Sequence, residues 1–193
     1  MSRGDSVVRC AVVPAAGASR RFGGAKLLEV VGGEPLLART LRVVLAAGFR
    51  PVVAVLGSHR ERLRPIAGGP GVEIVENERW RRGMGSSIAS GVAHLLGRHS
   101  GLSGVVVVPA DLPTLEPAVL EALPRAAEAA ALPMAAVTWP GAPLQAPAWF
   151  DKTILPELLE LRGDHGARAI LRSRPAMVAP VRLPNPLLDL DRP

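Results

Sequence analysis

The sequence is poor in the residues that build extracellular scaffolds, aromatic binding platforms and membrane spans. One cysteine, Cys10, stands in 193 residues. No disulfide framework can form from it, and a reducing cytoplasm is the expected compartment. No Cys/His cluster has the spacing of a zinc site. Tyrosine is absent, and Trp and Phe number three each, which leaves little for stacking on nucleic-acid bases. No apolar run approaches the ~18 residues of a membrane span. Val7–Val13 is too short for a signal-peptide core and has no cleavage pattern behind it. Lysine is nearly missing too: the formal net charge of +6 is carried by arginines spread along the chain, with lysine only at 26 and 152. The densest basic patch, Arg79, Arg81 and Arg82, is short. Nucleic acid and membrane are therefore not expected partners, and a small anionic substrate is.

One of the two lysines ends an informative stretch. Residues 15–26 read Ala-Ala-Gly-Ala-Ser-Arg-Arg-Phe-Gly-Gly-Ala-Lys, directly after the apolar run Val7–Val13 and before a second one, Leu27–Val31. A strand feeding a small-residue loop that ends in lysine outlines a phosphate site. Glycines let backbone N–H groups approach an anion, and Arg20, Arg21 and Lys26 add cationic donors. Lysine offers a compact point charge in a chain that otherwise uses arginine. The spacing excludes two common loops. Leu27 follows Lys26 where a Walker loop needs Ser or Thr, and Gly17 has no glycine two residues on, as a dinucleotide loop requires.

The remaining pattern alternates buried strands with helices. Strands are expected at Val7–Val13, Pro51–Leu56, Val72–Val75, Gly104–Val108, Met134–Trp139 and Ala176–Leu183. Their continuous apolar character suits a sheet covered on both faces. Helices are expected from Pro35 to about Ala47, after a Ser58-x-x-Glu61 capping box, from Ser86 or Ser87 to about Leu96, over Glu116–Ala131 with an interruption at Pro124, over Pro147–Leu161, and from Gly163 to about Arg172. Met1–Ser6 reads as a disordered lead-in. The expected fold is a single α/β domain over residues 1–193, a Rossmann-like three-layer sandwich with a mostly parallel sheet and helices on both faces.

Two further places invite chemistry. Residues 77–90 read Asn-Glu-Arg-Trp-Arg-Arg-Gly-Met-Gly-Ser-Ser-Ile-Ala-Ser; Ser86 and Ser87 either cap a helix or offer hydroxyls and N–H groups to a nucleotide, and Trp80 is read as packing. Asp111, in Pro109-Ala110-Asp111-Leu112-Pro113, follows a buried strand. It is either a turn residue or a carboxylate at the sheet's carboxyl edge, where open α/β folds bind ligands. Asp164 and Arg168 are equally an N-cap and a surface charge or site residues. His165 is the best placed of the four histidines; His59, His94 and His99 read as surface residues.

These motifs together resemble the MobA/MocA-like nucleotidyltransferases, of the nucleotide-diphospho-sugar transferase-like fold. Their signature Leu-Ala-Ala-Gly-x-Ser-x-Arg-x-Gly-x-x-Lys is matched at Ala15, Ala16, Gly17, Ser19, Arg20 or Arg21, Gly23 and Lys26, with Pro14 in place of Leu. Gly83-Met84-Gly85-Ser86-Ser87 resembles the cytidylyltransferase branch, Asp111-Leu112-Pro113 the magnesium-binding aspartate, and Gly163-Asp-His-Gly-Ala-Arg168 a block common among molybdenum-cofactor cytidylyltransferases. Leu188-Asp-Leu-Asp-Arg-Pro193 is similar to the first half of the family's closing segment.

The resemblance implies Mg²⁺-dependent transfer of CMP from CTP to a molybdopterin-type acceptor, with release of pyrophosphate. It implies catalytic roles for Arg20, Lys26 and Asp111. Nucleotide contacts would come from Ala15, Ala16, Gly17, Ser19, Arg20, Lys26, Gly85, Ser86 and Ser87, and acceptor contacts from Gly141, Asp164, His165 and Arg168. Asp111 and Asp191 would be the metal carboxylates, with Asp189 as substitute for the second. A nucleotidyltransferase for a sugar or polyol phosphate is the alternative within the enzyme class. A protein that holds the cofactor and delivers it to a molybdenum hydroxylase is the alternative outside it.

Overall fold

The computed structural model describes residues 8–19, 22–164, 166–188 and 190. In chain order the elements are β1 (Val8–Ala15), a short hairpin of β2 (Val30–Val31) and β3 (Glu34–Pro35), α1 (Leu36–Ala46), β4 (Val52–Leu56), α2 (Arg60–Ala67), β5 (Val72–Glu76) and α3 (Met84–Arg98). Then come β6 (Leu102–Val107), α4 (Pro117–Ala130), β7 (Met134–Thr138), β8 (Gln145–Asp151), α5 (Leu155–Leu159), α6 (Arg168–Ser173) and β9 (Val178–Arg182). Short 3₁₀ turns lie at Lys26–Leu28, Trp80–Arg82 and Pro175–Met177.

The main sheet has the order β5-β4-β1-β6-β8-β7-β9. All pairs are parallel except those of β8, which runs antiparallel to both β6 and β7. Side-chain alternation divides the core in two. Ala11, Val13, Ala54, Leu56 and Val106 pack under α1, α2 and α4. Cys10, Val12, Val53, Val55, Val105 and Val107 pack under α3, α5 and α6. The result is the three-layer α/β domain that the apolar runs predict, since both strand faces are covered. Among the described residues no helix is long and apolar enough to cross a membrane.

Chain direction places the site. From β1 the chain moves to β4 and β5 on one side, then returns to β6 on the other. The loops leaving β1 and β6 therefore diverge from the switch point, where a crevice opens at the carboxyl ends of the strands.

Four expectations are corrected. Pro147–Leu161 is not one helix: its first part belongs to β8 and its later part to the short α5. Pro147, Ala148, Trp149 and Phe150 are all buried, which a strand inside a doubly covered sheet achieves and an amphipathic helix does not; the aromatic pair also suits a strand. The expected interruption at Pro124 is absent, because α4 runs through it with Pro124 buried against the core. The Ser58-x-x-Glu61 box does not cap α2, which starts at Arg60 with no side-chain cap. Ser58 instead gives its N–H to Ala16 O at 3.0 Å. The last expected strand shortens to β9, after a 3₁₀ turn at Pro175–Met177.

Candidate active site

The loop after β1 is held from below by the β4–α2 connection. Ser58 N–H donates to Ala16 O, and the His59 ring lies 3.4 Å from Ala18 O. Gly57 is required there, since a Cβ would stand 2.7 Å from both Ala16 O and Ala16 Cβ. Ser19 adopts a left-handed backbone, φ 49°, a conformation few non-glycine residues take. His59 is thus a half-buried support of the loop and not the surface residue expected from its sequence context.

The loop returns to the site at Lys26. Its residue is only 8% exposed, and its Nζ donates to Asp111 Oδ2 at 2.8 Å. Lys26 sits in the 3₁₀ turn that begins just after the loop, and Asp111 sits just after β6. Eighty-five residues apart in sequence, they meet across the switch point. The Asp111 backbone is itself tied down, as Leu190 N–H donates to Asp111 O at 3.2 Å. The carboxylates that flank Leu190 in sequence, Asp189 and Asp191, lie outside the described residues, as do Arg20, Arg21 and His165.

Three adjoining compartments open beside this pair, all bordered by Pro14, Met84 and Asp164, and two of them by Asp111. The first, about 490 Å³, holds Gly17, Ser19, Lys26 and Asp111. The second, about 600 Å³, runs along Ala16–Ser19 to Ser87, Trp80 and Arg81. The third, about 380 Å³, reaches from Asp111 to Trp139, Gln145, Arg168 and Arg172. Trp80 is therefore a cleft wall rather than buried packing, with the Arg81 guanidinium stacked 4.6 Å from its ring centroid.

The start of α3 is organised by a residue that the sequence did not single out. Asn77, buried after β5, donates through Nδ2 to Ser86 Oγ at 2.9 Å and Ser87 Oγ at 3.0 Å. Its Oδ1 accepts from Arg79 N–H. Neither serine is an N-cap, because α3 begins at Met84 and its cap residue is Gly83. Gly85 is not open to a ligand: its N–H donates to Gly163 O at 2.9 Å, and a Cβ would collide with the Arg162 backbone at 2.8 Å. The glycines of Gly83-Met-Gly85 thus admit the 162–164 segment, which brings Asp164 into the cleft. Asp164 does not cap α6, whose cap residue is Ala167.

Most of the expected site residues are brought together: Ala15, Gly17, Ser19, Lys26, Asp111, Asp164 and Arg168 border the first or third compartment, and Ala16 and Ser87 the second. Ser86 borders none of the three and is bonded to Asn77 and Gly83 O. Gly141 is exposed and borders none of the three. Arg172 and Leu187 join the third compartment without having been read from the sequence; the i, i+4 spacing of Arg168 and Arg172 was the available signal.

The donor set suits a hard cation held partly by substrate. Among the described residues no group of three His, Cys, Asp or Glu side chains stands together as a complete metal site. Mg²⁺ takes one or two carboxylates plus substrate oxygens, and Asp111 at the switch point is a carboxylate that could serve such a site.

A model of the MobA-like NTP transferase domain matches residues 11–178. The chain belongs to the MobA-like NTP transferase family. Within it, the purine catabolism protein PucB of Bacillus subtilis is 32% identical over 167 residues, covering 82% of this chain and 78% of PucB. The crystal structure of Rv0371c from Mycobacterium tuberculosis superimposes with a TM-score of 0.81 at 27% identity, over 97% of this chain and 94% of that one. A manganese complex of Rv0371c superimposes with a TM-score of 0.73 at 25% identity, over 96% and 92%. The MobA-like assignment makes the chain a nucleotidyltransferase.

Proposed function

We propose that the protein transfers CMP from CTP to the terminal phosphate of a molybdopterin-type acceptor, releasing pyrophosphate. The observation that carries the reading is the Lys26–Asp111 pair at the switch point, a cation and a carboxylate 2.8 Å apart beside the glycine loop. The preference for CTP rests on the likeness of Gly83–Ser87 to the cytidylyltransferase branch. The preference for a ring-bearing acceptor is supported by the third compartment, where Trp139, Leu112 and Leu187 form an apolar wall and Arg168 and Arg172 supply positive charge.

A phosphate oxygen of the acceptor attacks the α-phosphorus of CTP. A new P–O bond forms, the bond from the α-phosphorus to the α,β-bridging oxygen breaks, and pyrophosphate leaves with that electron pair. The attacking oxygen is already anionic near neutral pH, so the chain needs no general base. Its work is positioning and charge neutralisation. In the free protein Asp111 supplies counter-charge to Lys26. On binding, the β- and γ-phosphates would take that place, with Lys26 facing the leaving group and the Asp111 carboxylate left available to a divalent cation. Asp111 would hold Mg²⁺, and Asp191, next to Leu190 in sequence, is the candidate second carboxylate. When bound, Mg²⁺ offsets the charge that develops on the phosphate oxygens. Arg20 adds to the neutralisation of the phosphates. Backbone groups of Ala15–Gly17 and the Ser19 side chain line the nucleotide, and Ser87, set by Asn77, faces the base. Asp164 and Arg168 border the compartment assigned to the acceptor, and His165 keeps the acceptor role that the resemblance implies.

The test is pyrophosphate release with Mg²⁺ and CTP, GTP, ATP or UTP, each with and without molybdenum cofactor. Release that requires both CTP and the cofactor is expected. Turnover with a different triphosphate or a sugar phosphate would discard the pterin acceptor. CTP binding without turnover for any acceptor would point to delivery of a cofactor to a partner enzyme instead.

A further inference from the structure

The loop that carries Asp111 is gripped by two adjacent residues of α1. Arg39 Nε donates to Pro113 O at 2.8 Å. Thr40 Oγ1 lies 3.0 Å from Ala110 O and 3.0 Å from Leu36 O. A helix-interior threonine ordinarily turns its hydroxyl to the carbonyl four residues back, which here is Leu36 O. That carbonyl already receives the Thr40 N–H within the helix. Ala110 O has no such supply. Its residue is 4% exposed, and among the described residues the Thr40 hydroxyl is its only donor. Thr40 itself is 1% exposed, so water does not readily replace it. A buried carbonyl left without a donor drives the loop to rearrange.

The same stretch of α1 also reaches the lysine side of the site. Arg39 Nη1 is 3.7 Å from Glu34 Oε1, on the hairpin that follows Lys26. Leu36 N–H donates to Glu29 O, directly behind the Lys26 turn. One rigid helix end thus fixes both loops that meet at the switch point.

We propose that Thr40 is a positioning residue for the metal-binding carboxylate: its hydroxyl, through Ala110 O, sets the orientation of Asp111, with Arg39 as a second clamp at Pro113 O. This rests on the reading of Asp111 as a metal ligand. Mn²⁺ titrated into the full chain in the presence of CTP, read by loss of the free-ion EPR signal against a protein-free CTP blank, tests it. Thr40→Val should raise the half-saturating Mn²⁺ about tenfold, within the range usual for losing an outer-shell support, and Thr40→Ser should restore it. Arg39→Gln should give a smaller rise in the same direction. In turnover, kcat should fall for Thr40→Val while KM for CTP holds.

Asp111→Asn separates the two levels. If Asp111→Asn binds Mn²⁺ as the wild type does, the metal role of Asp111 fails and the positioning role falls with it. If Asp111→Asn weakens binding but Thr40→Val leaves it unchanged, the positioning role alone is overturned. If Thr40→Val does not fold, an unchanged half-saturation in Arg39→Gln overturns it.

Discussion

The two halves of the sheet present the cleft in different ways. On the β5-β4-β1-β6 side, site groups stand on loops that leave parallel strands, and hydrogen bonds to the loops' own backbone carbonyls hold them: Ser58 N–H to Ala16 O, the Thr40 hydroxyl to Ala110 O, Leu190 N–H to Asp111 O. Lys26 is almost fully buried there. On the β8-β7-β9 side the third compartment is assembled from scattered places. Trp139 follows β7, Gln145 opens β8, Arg168 and Arg172 project from a six-residue helix, and Leu187 follows β9. Both arginines are exposed. The side to which the proposal assigns the triphosphate is thus held through loop carbonyls, and the side to which it assigns the acceptor is built by exposed side chains on short connections. Chemistry shared across a family belongs on the first kind of surface, and substrate choice on the second.

The largest expected effect lies on the backbone-built side. Lys26→Ala should lower the rate by about 10²–10³, the loss typical of a preorganised donor to developing charge, and should do so with every acceptor. Initial rates with saturating CTP measure it. A loss confined to one acceptor would break the division. The acceptor side should answer differently. Arg168→Ala or Arg172→Ala should raise the acceptor KM by about 10- to 100-fold, as for one charged hydrogen bond of roughly 1.5–3 kcal/mol. Half-saturation by CTP should hold. An increase in the CTP requirement instead would place these arginines on the nucleotide.

The halves are joined at β6 and β8, where Gly104 pairs with Asp151. A Cβ at Gly104 would stand 2.4 Å from Trp149 Cζ2 and 2.5 Å from Phe150 O. Trp149 cannot retreat freely, since it packs at 6.4 Å from Phe49. Gly104→Ala should cost about 1–3 kcal/mol by overpacking, a fall of roughly 3–10 °C in Tm. One cooperative transition at the lower Tm would show the halves unfolding together. Two separated transitions would make them independent units.

The same division governs what the sequence discloses. The loop at residues 15–26 and Asp111 are legible because each directly follows a continuous apolar run, and the spacing of Gly17, Ser19, Gly23 and Lys26 is local. The strand order that brings Lys26 to Asp111 is not local, and only parallel alternation hints at it. The reversed β8 is illegible for a stated reason. Residues 147–161 hold apolar side chains at spacings that a helix would also accept, and only the slot between β6 and β7 selects the strand. Asn77 and Thr40 are hidden likewise. A lone Asn after a strand, or a Thr within a helix, gains meaning from a partner that tertiary structure supplies, Ser87 in one case and Ala110 O in the other. Arg20, His165 and Asp191 belong to the expected site but lie outside the described residues.

The smallest expected effect concerns how the backbone-built half is closed at its edge. Glu73, on the edge strand β5, accepts from the rings of His94 at 2.5 Å and His99 at 2.8 Å, with Arg98 at 3.7 Å. The two histidines are therefore half-buried ties between β5 and the end of α3 rather than surface residues. Burial pushes the Glu73 carboxyl up, but the hydrogen bonds from His94 and His99 outweigh it and hold the group below its ordinary 4.5. A carboxyl lowered in the folded state contributes stability that is full above its unfolded value and is lost as pH falls through the folded one. Glu73→Gln should therefore lower Tm by about 2–4 °C near neutral pH, equivalent to roughly 1 kcal/mol. The gap should hold down to about pH 4.5 and close below it as the wild-type carboxyl protonates. Thermal unfolding of both proteins from pH 7 to pH 3 measures this. A gap that persists unchanged at pH 3 would mean that the charge on Glu73 does not tie β5 to α3, and that packing alone closes this edge of the sheet.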